Sequence, residues 1–178
     1  MEQTENIEKI LVSRDLPDFA WINPKDIAVA QWVRVKCTFG CADYGLGTCP
    51  PNTPSVEECG RFFSEYESAV IVKLSVQAEK SAYPSKWSRE MTDKLLGAER
   101  DIFLLNNPKT FLLNQTCCTL CGNCSGDRKG CTDKARSRPS PESFAVDVYQ
   151  TVRNAGMEIN VITGSPSVIN RIAILLID

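Results

Sequence analysis

Five cysteines fall between Cys117 and Cys131, and three of them, Cys118, Cys121 and Cys124, recur at every third position. No ordinary helix or strand needs thiols at that density, so the stretch must answer to disulfide or metal chemistry. A looser group, Cys37, Cys41 and Cys49, lies far upstream, and the remaining cysteine is Cys59. The N-terminal residues are acidic and carry no apolar stretch of the kind that opens a secretory signal, so reduced thiols in a cytoplasmic protein are expected. Nine cysteines is also an odd number for a disulfide framework. The chain contains no histidine, which excludes mixed Cys/His zinc fingers, histidine-ligated haem and any catalytic arrangement built on imidazole. Thiolate is then the main ligand for any bound metal.

The spacing within the second group favours a cluster over a single ion. Structural zinc sites draw on two separated Cys-x2-Cys pairs, whereas a Cys-x2-Cys-x2-Cys run wraps three corners of an iron-sulfur cubane, the arrangement of bacterial ferredoxins. Cys131 can return as the fourth ligand, although it follows after six residues rather than three and no proline succeeds it. The expected cofactor is therefore a 4Fe-4S cluster on Cys118, Cys121, Cys124 and Cys131, with zinc as the alternative metal. Arg128, Lys129, Lys134, Arg136 and Arg138 outnumber Asp127 and Asp133 in the loop that follows, and cations near a negative cluster would favour it. By spacing Cys117 is a spare thiol, either buried or a substitute for Cys118.

The first group offers three thiolates for a second metal centre and no obvious fourth ligand. Gly40, Gly45 and Gly47 let the backbone bend around one point, and Pro50 and Pro51 stiffen the exit. A cluster held by three cysteines leaves one iron open to solvent, to substrate or to a residue such as Asp43, and Cys59 is a further candidate to close it. Cys59 lies on the apolar stripe of a helix, which favours a place in the core.

The chain is of single-domain size, long enough to bury a core without staples. Residues 1–26 are polar and interrupted by Pro17 and Pro24, and read as an N-terminal extension with a helix over about 4–13 and then a loop. Val29, Val33 and Val35 alternate with Arg34 and Lys36, the period of a half-buried strand over 28–37. Ser55 and Glu58 form a capping box for a helix over about 55–67, and 69–76 is a β-branched strand. Trp87, Met91, Leu95, Ala98, Ile102 and Leu105 mark a long amphipathic helix, and 110–116 a strand running into the second cysteine group. A helix from Ser140 to Ala155, with Asp147 on its exposed side, and strands over 158–163 and 170–177 complete the pattern. These elements make an α/β fold in which helices pack on one mixed sheet, carrying two cysteine-rich metal-binding loops within a single domain over 1–178.

The loop Cys37-x3-Cys41-x2-Tyr44-Gly45, with Cys49-Pro50-Pro51, the later Cys-x-Leu-Cys-x2-Cys run and the segment holding Ala135, Arg136, Arg138, Pro139, Ser140 and Glu142 together resemble a family of cysteine-rich prokaryotic proteins described as predicted metal-binding proteins, a domain of unknown function. The resemblance extends from about Val33 to Asp178. It implies metal binding, with iron-sulfur the usual expectation. The chain departs from the family pattern at Thr116 and Cys117, where the family tends to have Gly and Pro, and in the extra Cys59. The leading expectation is an iron-sulfur protein for electron transfer, or for service to a partner's metallocofactor, with a redox or metalloprotein partner. The alternatives are an iron-sulfur enzyme using an open iron at the three-cysteine site, and a zinc-stapled interaction module. The net charge of -2 makes nucleic acid a poor partner, and no apolar run is long enough to span a bilayer.

Overall fold

The apolar residues of two long strands alternate between two separate cores, so the sheet must be covered on both faces. The computed structural model of the chain describes residues 2–78, 85–159, 161 and 167–178. Within them β2 (Ala69–Ala78) pairs antiparallel with β4 (Ser167–Leu176), and β1 (Phe19–Ile22) and β3 (Phe111–Leu113) add at the edges to give the order β1-β2-β4-β3. Ala69, Ile71, Ile172, Ile174, Leu176 and Leu113 serve one core, while Val70, Val72, Leu74, Ala173, Leu175 and Leu112 serve the other. This is the period-two alternation of a strand with both faces apolar, which is why both strands read as nearly unbroken hydrophobic runs.

One face is closed by α1 (Glu2–Ser13) and α4 (Ser85–Leu104), which contribute Ile7, Leu11, Met91, Leu95, Ala98 and Ile102. The other is closed by α3 (Val56–Ser64) and α5 (Val148–Asn154) together with Phe144 and Val146. The capping box of α3 is complete: Ser55 Oγ accepts from Glu58 N at 3.2 Å, and Glu58 Oε2 accepts from Ser55 N at 2.8 Å. An aromatic cluster of Phe62, Phe63, Tyr66, Phe111 and Phe144 joins α3 to β3 and to the segment leading to α5.

The α/β class holds, and all three strand pairings are antiparallel where a mixed sheet was expected. Four local expectations fail. Residues 28–37 do not form a strand. Val29 makes only an isolated bridge with Val146, and the chain then turns into α2 (Gln31–Gly40). The valine alternation misled because Val33 alone is buried while Val35 is 46% exposed, and the i, i+4 pair Trp32–Lys36 stacks cation on ring at 5.1 Å. The expected helix from Ser140 also breaks. A 3-10 turn over Glu142–Phe144 ends at Ala145, whose φ of 59° is left-handed, and Asp147 then caps α5 by accepting from Gln150 N at 3.0 Å. Asp147 is thus a cap rather than an exposed mid-helix residue. The edge strand β1 escaped notice because its four residues lie between Pro17 and Pro24. Glu158 and Ile159 are not in a strand, and 160 and 162–163 lie outside the described residues.

Candidate metal centre

The helix α2 decides how the first cysteine group is presented. Cys37 lies in its last turn and Cys41 caps its end, so the Cys-x3-Cys spacing is one helical turn and turns both thiols to the same side. Arg34, one turn before, fixes the helix by donating to Thr53 Oγ1 at 3.2 Å, Pro54 O at 2.9 Å and Ser143 O at 3.1 Å. The chain then folds back in a tight loop in which Gly45 N donates to Pro50 O at 2.8 Å and Cys49 N to Leu46 O at 2.9 Å. Gly45 has φ of 93°, a conformation that favours glycine. Cys49 is thereby delivered, 6% exposed, to the floor of a cavity of about 390 Å³ that Cys37 and Cys41 also line.

A fourth thiol lines that cavity, and it is Cys117. Its Sγ donates to Asp43 Oδ2 at 3.2 Å. Burial, then the hydrogen bond and negative charge of Asp43, push its pKa up to about 12. Cys49 is likewise pushed up to about 12, by burial first and then by the charges of Cys117, Asp43, Cys41 and Cys37. Cys37 is raised by burial and by Cys41, against the opposing pull of Arg34. These thiols hold their protons at neutral pH without metal, so binding a cation here must release them. Cys59 takes no part: it is fully buried in the core beside α3's aromatic residues, with its Sγ 3.7 Å from Pro54 O.

The second group is built from the loop between β3 and α5. Its neck is closed where Asn114 N donates to Pro139 O at 2.7 Å. Cys118, Cys121, Cys124 and Cys131 all line one cavity of about 270 Å³. Burial raises the Cys118 thiol, Leu120 N–H opposes that, and the charges of Cys131, Cys121 and Cys124 add to it. Cys124 is exposed and goes the other way, lowered by N–H groups of Gly47 and Gly126. Thr132 Oγ1 lies 3.3 Å from Cys121 Sγ, and Cys131 Sγ donates to Ser137 Oγ at 3.7 Å.

The cations of this loop do not simply ring the thiols. Arg138 forms an ion pair at 2.8 Å with Glu99, whose other contact is Leu112 N of β3, and Arg136 pairs at 2.8 Å with Asp93 of α4. Both arginines fasten the loop to α4. Arg128 reaches the site indirectly, through Ser137 Oγ.

The two groups interlock. Asn52 Nδ2 donates to Gly45 O, Leu46 O and Gly126 O at 3.2, 3.1 and 2.9 Å, bolting the first loop to the second. Thr48 Oγ1 accepts from Cys118 N at 3.3 Å. A Cβ at Gly47 would come within 3.2 Å of Asp127 O, so the two backbones meet where only glycine fits without displacement. All nine cysteines are free thiols. Among the described residues no three Cys, Asp or Glu side chains converge as closely as one metal ion requires. Four sulfurs around one zinc ion would stand about 3.8 Å apart.

A family model described as Predicted metal-binding protein (DUF2284) matches residues 20–177. The chain belongs to that family. Neither a curated protein nor a solved structure matches it. For this DUF2284 protein metal binding is the expected property, and the cysteines that can serve it fall into two pockets of four. Cys117 is the residue that sequence reasoning missed as a member of the first pocket. No spacing rule could have assigned it, since it adjoins Cys118 of the other pocket; only the course of the chain separates the two side chains. Among the described residues no helix is long and apolar enough to cross a membrane.

Proposed function

We propose that this protein is an iron-sulfur protein that carries a 4Fe-4S cluster on Cys118, Cys121, Cys124 and Cys131 and a second metal centre at Cys37, Cys41 and Cys49. Its role is electron transfer to a redox or metalloprotein partner, or service to that partner's metallocofactor, in the reducing cytoplasm. The observation that carries the reading is the run Cys118-x2-Cys121-x2-Cys124 joined by Cys131 in a single cavity, in a chain without histidine. Thiolate-only donor sets suit iron-sulfur clusters and zinc alike. The triple spacing favours the cluster.

A bound cluster would supply one-electron chemistry. The chain's own residues hold and tune it. The N–H groups of Gly47 and Gly126 favour the thiolate of Cys124, as hydrogen bonds to sulfur favour added negative charge. The hydroxyls of Thr132 and Ser137 stand beside Cys121 and Cys131. Cys124 of this site is exposed, as is Cys41 of the first, so each site presents one thiol to a docking partner.

Anaerobic reconstitution followed by metal and sulfide analysis tests the proposal. The expected product is brown, absorbs broadly in the visible and holds iron and sulfide in about equal amounts. Colourless protein with stoichiometric zinc after the same treatment would refute it.

A further inference from the structure

We infer that Cys117 is the fourth ligand of the first site, so that this chain carries two complete four-thiolate centres held by adjacent residues, Cys117 in one and Cys118 in the other. The inference rests on the proposed metal reading and takes it further, because three thiolates would leave the first centre open.

Three observations carry it. Cys37, Cys41, Cys49 and Cys117 line the same cavity. None of the four is paired with another thiol, and Cys59, the other candidate by sequence, is sealed in the core away from the cavity. The peptide joining Cys117 to Cys118 is held by Thr48, which lines the second cavity while its neighbour Cys49 lines the first. Two pairs of consecutive residues, Thr48–Cys49 and Cys117–Cys118, therefore form the partition between the sites. Successive Cα atoms are about 3.8 Å apart, so metals bound on the two sides lie close enough to interact.

Asp43 is the rival ligand. It lines the same cavity and accepts the Cys117 hydrogen bond. If Asp43 only accepts that hydrogen bond, its replacement by Asn leaves the bound metal in place; if it is the ligand, the first centre is lost.

The test is metal content and EPR of the reconstituted full chain, comparing Cys117→Ser, Cys118→Ser, Asp43→Asn and the core variant Cys59→Ser. The wild type should hold about eight irons, and its reduced spectrum should show two interacting centres and no response to added cyanide. Cys117→Ser should either halve the iron or keep it with a first centre that now responds to cyanide. Cys118→Ser should disturb the other centre, while Asp43→Asn and Cys59→Ser should match the wild type. Unchanged iron and spectrum in Cys117→Ser, a cyanide response already in the wild type, or loss of the first centre in Asp43→Asn would overturn the inference. Zinc in place of iron would refute the iron-sulfur reading alone: a fall from two zinc ions to one in Cys117→Ser would still support Cys117 as ligand, and an unchanged count would overturn it. Circular dichroism of each variant separates loss of metal from loss of fold.

Discussion

The two cysteine pockets use the same donor and differ in almost everything else. The first is formed where a helix end, a tight loop and the start of a distant loop meet over the sheet, and two of its thiols, Cys49 and Cys117, are pushed up to about 12 chiefly by burial. The second takes its four thiols from one loop, with Leu46, Gly47 and Thr48 of the first loop along its wall. Its Cys124 is lowered by backbone N–H groups of Gly47 and Gly126. Each pocket has one exposed thiol, Cys41 in the first and Cys124 in the second. A pocket gathered from remote segments depends on the fold that brings them together; one whose thiols come from a single loop depends mainly on that loop's own turns.

The largest effect should come from breaking the clamp of the second loop. Arg138 and the buried Glu99 are partners across the loop and α4, and removing one leaves a buried charge uncompensated, which costs about 3–5 kcal/mol. Arg138→Ala should lower the denaturation midpoint strongly, and metal analysis of the folded fraction should find the second site depleted before the first. Equal depletion would mean that the two pockets fail together.

A smaller change should erase the contrast from the other side. In the wild type a chelator is expected to strip metal in two phases, the second site first, because none of its thiols is buried as Cys49 is in the first. Asn52→Ala removes the amide that ties Gly45 and Leu46 to Gly126 and leaves these carbonyls short of a donor, at a cost of about 1–3 kcal/mol. The slow phase should then accelerate toward the fast one, as followed by visible absorption. A slow phase untouched by the substitution would show that the first site does not lean on the second.

The smallest effect concerns the helix that receives the first loop. Hydrogen bonds from Ser55 lower the pKa of Glu58 below the usual carboxylate range. A lowered folded-state pKa means that this contribution is present above the unfolded-state value and lost as pH falls through the folded-state value. Glu58→Gln should be slightly less stable than the wild type at pH 7, and the gap should close on acidification. Denaturant titrations at several pH values measure it, and a gap that widens in acid would contradict the capping box.

Much of the scaffold was legible because its signals are local. The capping box at Ser55, the three-four spacing from Trp87 to Ile102 and the β-branched run from Ala69 each report their own element, and the structure has α3, α4 and β2 there. Where a signal needed a distant partner it misled. The valines at 29, 33 and 35 alternate like a strand, yet no neighbouring strand is available beyond the single bridge to Val146, and a helix forms instead. The break at Ala145 has the same origin, since the backbone there bends to meet Ala28 and Ala30 across the fold.

The sequence by itself determined that no imidazole is on hand for a metal and that the cysteines fall into two groups, and its spacing put Cys118, Cys121, Cys124 and Cys131 together, as the cavity they share also does. Spacing along one loop is enough for that, because a short loop can close only on itself. Only the tertiary structure decided that Cys117 parts from Cys118 and joins Cys37, Cys41 and Cys49. Cys117 lies at a bend, and which pocket each of the two adjacent side chains reaches depends on how α2 and the loop from Cys41 to Cys49 fold back over the neck of the second loop.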